Sequence, residues 1–206
     1  MPLQNRVDPF GLIHAVPDRG TFMGNRGGCF HTDEKTLKRT HWKTRQWITC
    51  ALAFKGRQRE QMMPGKYTEL FFLDEATALA AGHRPCYECR YADAKRFREA
   101  LMRAGAFRYR PKASDLSDAI AGEIQNVLKG KTDRPVVDPT QLPDGAMFTT
   151  GAAAFLKWQG AAHPWHFSGY GAPQSLPTRG IRLTPHTTCQ ALAHGYKPSL
   201  HPSVST

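Results

Sequence analysis

Hydrophobic and polar positions alternate over residues 47–54, placing Ile48, Cys50, Leu52 and Phe54 on one face, and a period of two predicts a strand. Residues 67–73 form a second strand candidate, and the two are expected to pair as a hairpin across a basic loop at 55–66. Upstream, the first 28 residues are punctuated by Gly and Pro, with a short strand candidate at 12–16. Downstream the period changes. Asp74 caps a short Ala-rich helix over 75–81 that Gly82 stops. Residues 92–104 follow as an amphipathic helix with Phe97 and Leu101 on its apolar stripe, closed by Gly105. A further helix over 114–129 carries Leu116, Ile120, Ile124 and Leu128 on its core face and ends at Gly130. After a Pro/Asp-rich stretch at 132–144, strand-like pieces at 146–149, 153–158, 164–167 and 180–183 are separated by turns, which predicts an antiparallel sheet. The fold class is therefore α+β: a basic N-terminal module (1–112) with a β-hairpin and short helices, then a β-rich C-terminal half (113–206), the two packed either separately or as one unit.

Composition narrows the class. With 206 residues, 40% of them hydrophobic and 10% aromatic, the chain can bury a sizeable core and is not compositionally disordered. It has no apolar run of about 18 residues, so no membrane span is expected. Five cysteines without an apolar leader predict a reducing, cytoplasmic location rather than a disulfide framework. The net charge of +11 is unevenly spread: residues 1–112 hold 21 Lys/Arg against 11 Asp/Glu, and residues 113–206 hold 7 against 6. Such a field attracts polyanions, among which nucleic acid is the commonest partner. The expected phosphate contacts are Arg57 and Arg59 in the loop, with Arg90, Arg96 and Arg98 on or beside the helix 92–104. The plainer reading of the same charges is an ordinary solvated basic face.

The densest chemistry lies at Gly82-His83-Arg84-Pro85-Cys86-Tyr87-Glu88-Cys89. A Cys-x-x-Cys turn brings two thiolates within reach of one tetrahedral Zn²⁺ at about 2.3 Å. A redox dithiol normally follows a strand with an apolar lead-in, whereas here a helix and Gly-His-Arg-Pro precede it. Further Cys and His candidates lie upstream. Cys29 and His31, in a glycine-rich extended stretch, are the leading pair; Cys50, on an apolar strand face, and His41 are the remaining candidates.

The run Phe71-x5-Thr77-Ala78-Leu79-Ala80-Ala81-Gly82-x2-Pro85-Cys86-x2-Cys89 resembles the second half of the Ada-type metal-binding domain, found in methyl-phosphotriester repair proteins and appended to some bacterial nucleases. The resemblance covers roughly residues 71–90. It implies a zinc site, contact with DNA more than RNA, and a role in DNA repair or processing. The family's first ligand pair is missing in recognisable form. An alkyl-accepting thiolate, which the family places in that pair, would here have to be Cys29 or Cys50. Two functions compete with plain nucleic-acid binding: a metal-dependent nuclease or alkyl-accepting repair enzyme, and a protein-interaction module built on the aromatic C-terminal strands.

Other catalytic signals are thin. His163 and His166 fall on opposite faces of one strand, and Cys189 near His186 and His194 lacks an acidic partner for nucleophilic chemistry. Glu69 and Asp74 flank the strand that leads to the knuckle and offer a carboxylate near a metal, with capping as the plainer role for Asp74.

Overall fold

The structure is a computed structural model that describes residues 1–56 and 60–204. Among the described residues it is an α+β fold of two sheets and four α-helices. The first sheet comprises β1 (Arg6–Val7), β2 (Ile13–His14), β3 (Phe22–Arg26), β4 (Trp47–Cys50), β5 (Leu70–Phe72) and β6 (Arg84–Pro85), in the order β2-β1-β5-β3-β4-β6. β1 runs parallel to β5 and β4 parallel to β6, with antiparallel pairing elsewhere.

β4 and β5 are therefore not a hairpin. β3 lies between them, pairing Met23 with Cys50 on one side and with Phe71 on the other. Its sequence, Phe-Met-Gly-Asn-Arg, carries neither a β-branched residue nor a clean alternation, and so hides among the N-terminal glycines. Gly24 is needed there, because a Cβ would sit 2.9 Å from the Phe72 ring.

The helices are α1 (Glu75–Ala80), α2 (Tyr91–Arg103), α3 (Ala113–Leu128) and α4 (His186–Ala193). α1 begins as expected, with the Asp74 side chain accepting from the Thr77 N–H at 2.9 Å. α3 starts one residue before the expected 114, and the Asp115 carboxylate accepts from the Lys112 N–H. The second, antiparallel sheet comprises β7 (Val136–Val137), β8 (Met147–Thr149), β9 (Ala154–Trp158), β10 (Ala161–His166), β11 (Gly169–Tyr170), β12 (Gln174–Ser175) and β13 (Gly180–Arg182). Its order is β11-β10-β9-β8-β13-β7, with β12 paired to β10.

The largest core cluster joins Leu79, Phe97 and Leu101 to Leu116, Ile120, Phe148 and Leu192. Apolar packing is thus continuous across residue 112. A buried polar seam ties the two parts further: Asp74 accepts from Tyr170 Oη and His201 N, and Glu75 accepts from Tyr196 Oη and Ser199 N. Among the described residues no helix is long and apolar enough to cross a membrane.

The two faces of the first sheet do different work. Leu70 and Phe72, Gly24, and Trp47 and Thr49 turn towards α1 and the core. By strand alternation, Glu69 and Phe71, Met23 and Asn25, and Ile48 and Cys50 turn the other way. That second face is the floor of a cavity.

Candidate metal centre and the cavity beside it

Cys50 ends β4 on the cavity face. β6 lies alongside in parallel, pairing Thr49 with Pro85, and one further ladder bond, Cys86 N–H to Thr49 O at 3.0 Å, sets Cys86 next to Cys50. The chain then turns: Arg90 N–H bonds to Cys86 O, and the Cys86 sulfur accepts from Glu88 N–H at 3.3 Å. α2 begins immediately after. The result is three sulfurs, of Cys50, Cys86 and Cys89, all within 4.8 Å of one another. A tetrahedral ion at about 2.3 Å from each sulfur needs them about 3.8 Å apart, so small side-chain rotations suffice to close the site.

The electrostatics suit a cation. The hydrogen bond from the Cys50 thiol draws Cys86 down to about 5, aided by the Cys89 and Glu88 N–H groups and against the effect of burial. Cys89 is lowered for the same leading reason, with the Ala51 N–H assisting. Cys50, buried with both of these sulfurs beside it, is pushed up in turn. Thiolate character is therefore built into the turn, which is what metal ligation requires of cysteine.

Cys29 and His31, the expected second pair, lie together but outside this cluster. Both ring nitrogens of His31 are engaged. Nε2 faces Met63 O at 3.1 Å, and since a carbonyl only accepts, Nε2 is assigned the proton; Nδ1 then accepts from Thr68 Oγ1 at 2.7 Å. No lone pair is left for an ion. The side chain that lies with Cys86 and Cys89 is that of Cys50, and His41 is not in the cluster either. Cys50 resembles a core residue in the sequence because its strand face is apolar, but that face lines a cavity. The knuckle also follows a short strand and leads into a helix, the order expected of a redox dithiol. What distinguishes it is the third sulfur.

The cavity has a volume of about 790 Å³ and all three cysteines line it. Its floor is the sheet face already described. Leu52, Phe54, Gln61 and Tyr67, from the segment between β4 and β5, complete the wall, and Glu88 stands at the cysteine end. Glu69 is buried, with Oε2 accepting from Met62 N–H at 2.8 Å. It shares the cavity with the sulfurs, whereas Asp74 is a buried cap on the far side of the sheet.

The expected phosphate contacts separate. Arg57 and Arg59 lie outside the described residues. Arg90 is buried, not at the surface: its Nη2 meets Glu75 at 2.9 Å and Asp93 at 2.7 Å, and the guanidinium stacks over Phe22. Glu75, buried at the first turn of α1, needs a cation, and Arg90 supplies it. Arg96 is exposed and pairs with Asp93, while half-buried Arg98 lies over the Tyr87 ring at 5.6 Å. Elsewhere, His163 is buried and His166 exposed on β10, in keeping with opposite faces. Cys189 is buried in α4, its thiol pushed up to about 12 by burial and facing Thr184 O, which describes an inert core cysteine.

Compared with protein-family models, with curated proteins and with solved structures, the chain gives no significant match.

Proposed function

We propose that this chain is a zinc-binding protein that contacts nucleic acid, DNA more than RNA, with Cys50, Cys86 and Cys89 as the protein ligands of Zn²⁺. The observation that carries the reading is the convergence of three sulfurs from β4 and the knuckle. Soft thiolates favour Zn²⁺ over hard cations, and an ion held there joins β4 to the start of α2, so its binding energy becomes folding energy. All five cysteines are unpaired, which fits a reducing compartment such as the cytoplasm. The nucleic-acid part rests on charge. Lys38, Arg39 and Lys43 are exposed between β3 and β4, and Arg103, Arg108 and Arg110 are exposed at and after the end of α2.

Two measurements on the purified protein test the two parts separately. Elemental analysis should give one zinc per chain. Titration of a labelled duplex should give a log–log salt slope of about −4, the value for four to five neutralised phosphates. A slope near zero removes the nucleic-acid part and favours a protein partner.

One observation favours a second reading, an enzyme. The sulfurs face a cavity, as in catalytic zinc sites that keep a position open. Chelator-sensitive nicking of DNA, or transfer of an alkyl group to Cys50, would support it over a purely structural ion.

A further inference from the structure

We propose that the outer face of α2 and the segment after it bind single-stranded nucleic acid, with Tyr91 and Tyr109 as stacking platforms for unpaired bases. This rests on the nucleic-acid reading above and narrows it to an unpaired strand.

The helix places rings and cations in one row. At 3.6 residues per turn, Tyr91, Lys95, Arg98 and Met102 fall within about 60° of arc on α2 and span about 16 Å along it. The row reaches back into the cysteine turn, where the Tyr87 ring stands edge-on to that of Tyr91, 6.5 Å away. Lys95 Nζ lies over the Tyr91 ring at 5.7 Å, and the Arg84 and Arg98 guanidinium groups lie over the Tyr87 ring at 5.4 and 5.6 Å. Beyond Gly105, Phe107-Arg108-Tyr109-Arg110 repeats the alternation of ring and cation. Phe107 packs against the main core cluster and anchors this segment, and the Tyr109 ring stands 6.2 Å from it. Tyr91 and Tyr109 are each 59% exposed, the most open aromatic side chains among the described residues.

Charge and ring together select the partner. Among the described residues Lys95, Arg98, Arg108 and Arg110 have no carboxylate partner, whereas Arg96, on the neighbouring face of α2, is paired with Asp93. Glu99 is exposed beside the row, and the row and its extension remain net positive. The complementary surface is therefore anionic. Aromatic side chains set among cations are the arrangement that holds single strands: the cations follow the backbone, and every base offers a π-face to a ring. In a duplex those faces are covered by the neighbouring base pairs, and most contacts go to phosphate and sugar. A duplex or an acidic protein surface would satisfy the cations and leave the tyrosine rings in water.

The test titrates the full chain, at one salt concentration, against labelled oligo(dT) and oligo(U) of about 15 nucleotides and a DNA duplex of the same length. Vesicles containing phosphatidylserine are a fourth probe. The proposal expects at least one of the two strands to bind at least about fivefold tighter than the duplex, and the pair tells DNA from RNA as the source of the strand. Tyr91→Ala and Tyr109→Ala should each weaken strand binding at least about fivefold, the low end of what stacking one base contributes. Duplex binding should change less than twofold in both, and Tyr91→Phe and Tyr109→Phe should keep the wild-type affinity. Both side chains are exposed, so the variants retain the fold. Arg108→Gln should lower the salt slope for the strand by about 0.7, the value for one phosphate. Equal affinity for strand and duplex, or a strand preference that neither alanine variant moves, overturns the inference and leaves the nucleic-acid reading standing. Vesicle binding that oligo(dT) does not displace overturns it in favour of a lipid surface. Failure of all three nucleic acids to bind removes the nucleic-acid reading and the inference with it.

Discussion

Replacing Arg90 by Met separates a structural arginine from a phosphate contact. The guanidinium is 5% exposed and the Glu75 carboxylate opposite it 1%, so the substitution leaves an anion buried without its cation. The Tyr196 hydroxyl and Ser199 N–H remain on Glu75, but neither carries a charge. Breaking a buried ion pair from one side costs about 3–5 kcal/mol. For a chain of this size one kcal/mol moves the midpoint by about 2–4 °C, which gives a fall in Tm of about 6–20 °C by circular dichroism. Neutralising the stranded acid as well, in Arg90→Met/Glu75→Gln, should recover more than half of the loss, because the amide has no charge to compensate. Affinity for duplex DNA, measured below the new midpoint, should change less than twofold. A Tm within about 2 °C of wild type together with a large drop in affinity would refute the buried assignment and return Arg90 to the surface.

Other outcomes follow from single sites. Gly82 has φ +85°, and a Cβ would stand 2.8 Å from Ile124 Cγ1; left-handed strain of about 1–2 kcal/mol and overpacking of about 1–3 kcal/mol predict that Gly82→Ala loses about 2–5 kcal/mol in urea denaturation, and a loss under 1 kcal/mol would contradict the packing. His83, between Trp47 and Phe72, is held well below its usual value by burial and then by the Arg26 charge. Below the unfolded value of about 6.5 only the unfolded chain takes up this proton, so stability falls by about 1.4 kcal/mol from pH 7.5 to 5.5 on account of this residue; His83→Gln should flatten the profile by that amount, and an unchanged slope would show that His83 titrates in the fold. Cys189 should resist a thiol reagent until the protein unfolds, and Cys189→Ala should leave metal content unchanged, whereas rapid labelling in the native state would contradict its burial.

Much of the architecture is legible because local signals agree with the fold. α2 and α3 fall within a residue or so of their expected bounds, since the Phe97–Leu101 and Leu116–Ile120–Ile124 stripes are core stripes and Gly105 and Gly130 end the helices. Four of the C-terminal strands, β8, β9, β10 and β13, are legible because turn residues bound them, whereas β7, β11 and β12, of two residues each, lie in stretches expected as loop or turn. The hairpin expectation fails because pairing is non-local: β3 fills the space between β4 and β5, and its Gly-Asn centre has no strand periodicity to display. The Cys-x-x-Cys is visible from spacing alone. Its partner is harder to find, because alternation fixes which residues share a face and says nothing of what that face meets. Ile48 and Cys50 have the pattern of core residues, yet the face they share lines a cavity. Glycine-rich backbone favours Cys29 and His31 as ligands, but the hydrogen bonds of His31 to Thr68 and Met63 come from residues more than thirty positions away and leave no mark on the local sequence.

The most direct test of the account is the zinc content of protein purified without added metal, compared among wild type, Cys50→Ser, Cys86→Ser, Cys89→Ser and Cys29→Ser. The account predicts one zinc per chain in wild type and in Cys29→Ser, and loss of it in the other three. Retention of zinc in Cys50→Ser with loss in Cys29→Ser, or a folded wild type with no zinc, would contradict it.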